Sequence, residues 1–132
     1  MAQDQTDSDR HPKRLALRAF ISKRKFLAEP LYPGATNEAT REKCQAVIDA
    51  LAERLIPLAD APVDQRLFAK ALTQTMLDFG PADSEERERA ASYVEEVMDI
   101  LEVESSGGLL NMWAYGFDPA ELLAKSLDVP SR

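Results

Sequence analysis

Residues 38–57 read EATREKCQAVIDALAERLIP, and this stretch decides the class of fold. Its apolar residues recur at intervals of three and four, the spacing that places side chains on one face of an α-helix. They are Cys44, Val47, Ile48, Leu51 and Leu55. The proline that follows lacks an amide hydrogen and clashes with the preceding turn. We therefore expect a helix over 38–56 with one face buried in a core.

The same period recurs on both sides of this segment. It predicts helices over 12–28, 62–79 and 83–104, separated by proline- and glycine-containing stretches. A short fifth helix is expected at Asp118-Pro119-Ala120-Glu121, where aspartate caps the first turn and proline takes the first helical position. No segment alternates with period two. The sequence predicts an all-α bundle of four long helices plus a short C-terminal helix.

The apolar faces of the first, third and fourth helices are expected to form the rest of the core. They are Leu17, Phe20, Ile21 and Leu27 in the first; Leu67, Phe68, Ala71, Leu72, Met76 and Phe79 in the third; and Ala90, Val94, Val97, Met98 and Leu101 in the fourth. Asp83 and Glu86 have the spacing of a capping box that opens the fourth helix. With 132 residues, the chain is expected to form one domain over 11–132, preceded by a disordered acidic tail over 1–10.

Charge is unevenly distributed along the chain, whose net charge is −7. Residues 10–25 carry seven bases and no acid, whereas residues 26–132 carry 20 acids and 9 bases. Such an acidic body repels nucleic acid and anionic lipid, so we expect neither as a partner. The basic flank of the first helix is expected to meet acidic faces of the same fold or of a second subunit.

Cysteine and histidine are too few for most catalytic or metal centres. The chain has one of each, Cys44 and His11, which excludes an internal disulfide and a multi-cysteine metal site. There is no Glu-x-x-His motif, no G-x-S-x-G turn and no phosphate-binding glycine loop. We therefore predict no catalytic residue, no metal site and no cofactor, and hence a protein that is not an enzyme.

The N-terminus and the hydropathy pattern bear on the compartment. The first ten residues are polar and acidic, unlike a secretory signal peptide. No apolar run reaches the 18 residues or so that a membrane span needs. The expected location is the cytoplasm, without membrane attachment.

Two surfaces are candidates for binding a partner. The fourth helix carries Glu85, Glu88, Glu95, Asp99 and Glu102 along one face, and the like charges at Glu95 and Asp99 repel each other by a few tenths of a kcal/mol. Residues 109–117 read LLNMWAYGF and supply Asn111, Trp113, Tyr115 and Phe117, residue types that include favoured interface anchors. The alternatives are a solvated helix face for the first surface, and for the second a segment that closes the open end of the bundle.

The acidic helix also supports an enzymatic alternative. Its pairs Glu85-x-x-Glu88 and Glu96-x-x-Asp99 resemble those of the all-α nucleotide pyrophosphohydrolases of the MazG type. That resemblance implies a Mg²⁺-dependent hydrolase whose metal ligands come from two antiparallel helices, with Glu42 and Glu53 as the other half. The chain departs from the pattern because both pairs lie within one continuous helix and Glu42 and Glu53 do not form an E-x-x-E pair.

The lack of a recognisable set of catalytic residues and the excess of acids over 26–132 together favour a small helical module that binds another protein. A basic partner suits its charge, and in size and charge the chain is analogous to bacterial immunity or antitoxin proteins. The two alternatives are the Mg²⁺-dependent hydrolase and a homo-oligomeric structural or regulatory module, such as a homodimer that buries Trp113 and Tyr115 across a two-fold axis.

Overall fold

The computed structural model describes residues 11–30, 32–80 and 84–114, and it confirms the all-α fold. Five helices follow one another: α1 (Pro12–Ser22), α2 (Glu38–Leu55), α3 (Gln65–Phe79), α4 (Ser84–Leu101) and α5 (Leu109–Ala114). A 3₁₀ turn, Ile56–Leu58, continues α2 at the predicted proline stop. The expected acidic tail and the expected helix at Asp118 lie outside the described residues.

Side chains that accept from backbone amides fix where the first three helices begin. His11 Nδ1 accepts from the amide of Lys13 at 3.3 Å, which gives the single histidine a capping role. Asn37 caps α2 in the same way. Asp64 caps α3, so this helix begins at Gln65 and not at the predicted residue 62. The carboxylate of Asp64 therefore outweighs the preference of proline for a first helical turn.

Helix α2 lies at the centre of the fold and packs against α1, α3 and α4, while α5 packs against α3 and α4. Its predicted stripe faces the core, with Val47 partly buried and the other four members buried. The predicted inner face of α4 is likewise buried, with Met98 partly so. One expectation for α3 is wrong, because Leu67 is 46% exposed. It lies in the first turn of a helix that begins later than predicted.

The first helix is shorter than the pattern predicts. It ends at Ser22, and the chain continues from Lys23 in an extended conformation. Phe20, near the helix end, offers a carbonyl that accepts from the Lys23 amide at 3.2 Å and from Lys25 Nζ at 2.5 Å. The helix therefore ends before Leu27, which is 40% exposed instead of buried. The Lys25 side chain folds back on the helix end, and that contact stops the helix.

A chain of aromatic rings joins the elements of the core. Ring centroids lie 6.2 Å apart for Phe20 and Tyr93, 5.1 Å for Tyr93 and Phe26, 6.2 Å for Phe26 and Phe79, and 5.3 Å for Phe79 and Trp113. These distances lie in the range of favourable aromatic pairs. The rings link α1, α4, the segment after α1, α3 and α5. No helix within the described ranges is long and apolar enough to cross a membrane.

Candidate functional site

The C-terminal half of α4 presents an acidic depression of about 430 Å³. Its lining comprises Glu95, Met98, Asp99, Glu102, Val103 and Glu104. Glu95, Asp99 and Glu102, which the sequence predicts as contacts, are all exposed here. Glu102 forms an ion pair with Lys13 at 3.1 Å. No ion pair joins Glu95 or Asp99 to another residue of the described ranges, so two adjacent carboxylates remain without a cation.

The bases at and after α1 are paired with acids of the same fold, which confirms one of the two expectations for them. Besides Lys13, the pairs are Arg14–Asp60 at 2.6 Å, Lys23–Glu96 at 2.7 Å, Arg24–Glu38 at 3.7 Å and Lys25–Asp49 at 2.6 Å. The exposed pairs among them, which exclude Lys25–Asp49, add little stability. Their effect on the surface is larger, because these bases neutralise acids elsewhere and leave the α4 depression negative.

Lys25 differs from the other bases because its side chain is fully buried. Its ammonium contacts Asp49, donates to the carbonyl of Lys23 at 2.9 Å and lies 4.3 Å from the centroid of the Phe20 ring. Burial lowers the pKa of Lys25, while Asp49 acts in the opposite direction. The pair anchors the segment between α1 and α2 onto α2.

That anchored segment forms one wall of a groove of about 620 Å³ against the N-terminal half of α4. Glu29 and Tyr32 close a tight turn, with the Glu29 amide donating to the Tyr32 carbonyl at 2.7 Å and the Tyr32 amide donating back at 3.0 Å. The groove is lined by Glu29, Pro30, Tyr32 and Pro33 on one side and by Glu85, Glu88, Arg89 and Ser92 on the other.

The groove has a fixed floor. Arg89 forms an ion pair with Glu29, and its guanidinium lies 5.7 Å from the ring centroid of Tyr32 and 5.0 Å from that of Tyr93. The Tyr32 hydroxyl donates to the buried Glu86 carboxylate at 3.4 Å. Burial, and next the charge of Glu86, raises the pKa of Tyr32 well above its usual range. The phenol is therefore a neutral hydrogen-bond donor at physiological pH.

Sequence reasoning missed the groove, although it named Glu85 and Glu88. Its loop wall comes from a stretch read only as a connection, Pro30-Leu31-Tyr32-Pro33-Gly34. The one sequence feature that indicates the groove is a tyrosine between two prolines in a loop, because binding residues often lie on loops that a rigid scaffold holds in place. Glu86 is buried and accepts from the Tyr32 hydroxyl, and the predicted capping box stays a prediction because Asp83 lies outside the described residues.

The aromatic segment is divided between core and surface. Trp113 is 1% exposed and meets Phe79 edge-on, as expected if this segment closes the open end of the bundle. Asn111 is exposed on α5. Tyr115 and Phe117 lie outside the described residues. The partner-binding role of these four residues stays a prediction, with Trp113 placed where the bundle-closing alternative puts it.

The remaining chemical candidates do not come together. Within residues 11–30, 32–80 and 84–114, no three His, Cys, Asp or Glu side chains converge as metal ligands. Glu42 and Glu53 are exposed on α2. The converging carboxylates that the pyrophosphohydrolase resemblance implies are thus not formed in this part of the chain. Cys44 is buried, and burial together with Glu86 raises its thiol pKa, which disfavours the nucleophilic thiolate.

Comparison with known proteins places this arrangement in a family without a described activity. None of the curated proteins matches the chain. The chain is similar to a DUF3571 family protein from Acinetobacter baumannii AYE, known from a crystal structure. The two are 27% identical, the match covers 89% of this chain and 98% of that chain, and the TM-score is 0.70. Residues 4–118 match the family described as "Domain of unknown function (DUF4844)". The chain belongs to the DUF4844 family.

Proposed function

We propose that this protein acts without catalysis, by binding a basic protein partner through the acidic depression of α4. The observation that carries the proposal is the pair of exposed carboxylates, Glu95 and Asp99, that no described cation neutralises. The bases at and after α1 are held by other acids of the same fold. Neutralising a basic protein in the cytoplasm, as immunity and antitoxin proteins do, is the role we propose.

A basic partner would relieve the repulsion between the carboxylates of this depression. Glu95 and Asp99 stand one helical turn apart, so their repulsion costs the free protein a few tenths of a kcal/mol. A partner cation between them turns this repulsion into attraction. The field of the acidic body also speeds the encounter with a positive surface, in a way that salt screens. Met98 and Val103 supply apolar contact area beside the carboxylates.

The test is capture of partners from lysate of the source organism by the immobilised full chain, at low and at high salt. Three baits are compared: wild type, the charge-reversal variant E95K/D99K, and E42K/E53K, which reverses two exposed acids on α2. We expect a basic protein that wild type and the α2 control retain, that high salt releases and that E95K/D99K does not retain. Equal retention by all three baits, or a retained protein that is acidic, contradicts the proposal.

A further inference from the structure

We propose that the groove between the turn 29–33 and α4 binds an arginine or lysine side chain of a protein partner, together with the backbone beside it. The inference rests on the proposed function, since it supplies the anchoring pocket for the same basic partner. It concerns different residues from the depression at Glu95 and Asp99, and the two sites can therefore be tested separately.

The walls of the groove match the two parts of a long cationic side chain. Pro30 and Pro33 are exposed along the groove and give an apolar surface for the methylene stem. Glu85 and Glu88 face it from α4, one turn apart and exposed, and no ion pair joins either to a described residue. The helix dipole accounts for an acid in the first turn, such as Glu85, but its effect fades toward Glu88.

Arg89 shows how this site holds a guanidinium. Its charge is met by Glu29, and its central carbon lies 5.7 Å from the ring centroid of Tyr32 and 5.0 Å from that of Tyr93. Carboxylate pairing and aromatic stacking are the contacts that arginine favours in binding sites. Because Glu29 already neutralises Arg89, the charge left over in the groove is negative. An anionic ligand would therefore meet repulsion from Glu85 and Glu88.

The groove is also organised before any ligand arrives. The turn is closed by its two backbone bonds, the Tyr32 hydroxyl is bonded to Glu86, and the Phe26 amide donates to the Tyr93 hydroxyl at 2.9 Å. A rigid site loses less conformational entropy on binding than a mobile one. This supports affinity for a short segment even where only one or two side chains make contact.

The experiment is an NMR titration of the ¹⁵N-labelled full chain at low ionic strength with a blocked Gly-Arg-Gly-Arg-Gly peptide. We expect saturable shifts of amides over 29–33 and 85–92. The peptide with citrulline in place of arginine should not shift them. E88Q, and separately E85Q/E88Q, should weaken binding at least tenfold. The matched double variant E95Q/D99Q, with the same loss of charge on the same helix, should bind within about twofold of wild type.

Several results would overturn the inference. They are shifts centred on the C-terminal half of α4, equal weakening by the two double variants, retained binding of the citrulline peptide, or no saturable shift at millimolar peptide. Spermine that binds the groove as tightly as the peptide would identify a polyamine site instead. If the groove fails while lysate capture still depends on Glu95 and Asp99, the proposed function stands without this pocket.

Discussion

Replacement of Lys25 by methionine should destabilise the protein more than the loss of any exposed base. Methionine keeps an aliphatic stem but removes the ammonium that contacts Asp49 at 2.6 Å and the carbonyls of Phe20 and Lys23 at 2.5 and 2.9 Å. Breaking a buried pair costs about 3–5 kcal/mol, mostly because the remaining charge has no partner. Asp49 is 15% exposed and accepts from Gln45 at 3.3 Å, which relieves part of that penalty. We therefore expect about 3 kcal/mol.

The assay is urea denaturation of wild type, K25M, D49N and the double variant K25M/D49N. In the double variant the neutral amide of Asn replaces the unpaired carboxylate, so the losses should not add. We expect a coupling free energy of about 1 kcal/mol or more, within the range typical of contacting residues. Lys23→Met, at an exposed pair with Glu96, serves as the matched control variant. A K25M loss under about 1 kcal/mol, or strict additivity, refutes the reasoning.

The pH dependence gives a second readout of the same pair. Because burial lowers the pKa of Lys25 below its ordinary 10.5, the unfolded chain binds more protons than the folded one between those two values. The contribution of Lys25 to the free energy of unfolding therefore rises with pH in that window. The difference between wild type and K25M should grow toward pH 10.5, and a constant difference across the window would contradict the pKa direction.

Three further predictions follow from the packing. Gly34 has φ +90°, and a Cβ there would lie 3.0 Å from the Ala28 amide nitrogen. Gly108 has a similar φ of +88° but open space around it. In urea denaturation, G34A should therefore lower the free energy of unfolding by about 1 kcal/mol more than G108A does. Trp113→Ala should cost about 3–5 kcal/mol, and the wild-type indole, the chain's single tryptophan, should emit at shorter wavelength folded than unfolded. Cys44 should react with a thiol reagent only as fast as the folded structure opens to expose it. A fast reaction in the native protein would contradict its burial.

The helical faces were predictable because burial and periodicity agree along α2, α3 and α4. The prediction failed where a contact between distant residues overrode the local pattern. Residues near Lys25 continue the helical spacing, yet Lys25 folds back onto the helix end and pairs with Asp49, 24 positions later. Fully buried lysine is rare, so no local rule would place it in the core or put Phe26 at φ +60°.

The acidic face of α4 was visible in the sequence, but the groove was not. Glu85 and Glu88 follow from helical spacing alone. Their opposite wall depends on the path of the chain between α1 and α2, which the Lys25 contact and the turn at Glu29 and Tyr32 determine. Two segments more than fifty residues apart meet there. Periodicity assigns a face to each helix but does not say which loop covers it.

Helix α4 has one buried face and one acidic face, so the acids that the binding proposals invoke can be changed without disturbing the residues that stabilise the fold. Ala90, Val94 and Val97 are buried and hold the helix to its neighbours. Glu88 and Asp99 are exposed, and exposed acids without a cation contribute little to folding. Neutralising them should leave the free energy of unfolding within about 0.5 kcal/mol of wild type. A loss of partner binding in such variants would then reflect the contact itself, and a large loss of stability would show that these carboxylates serve the fold.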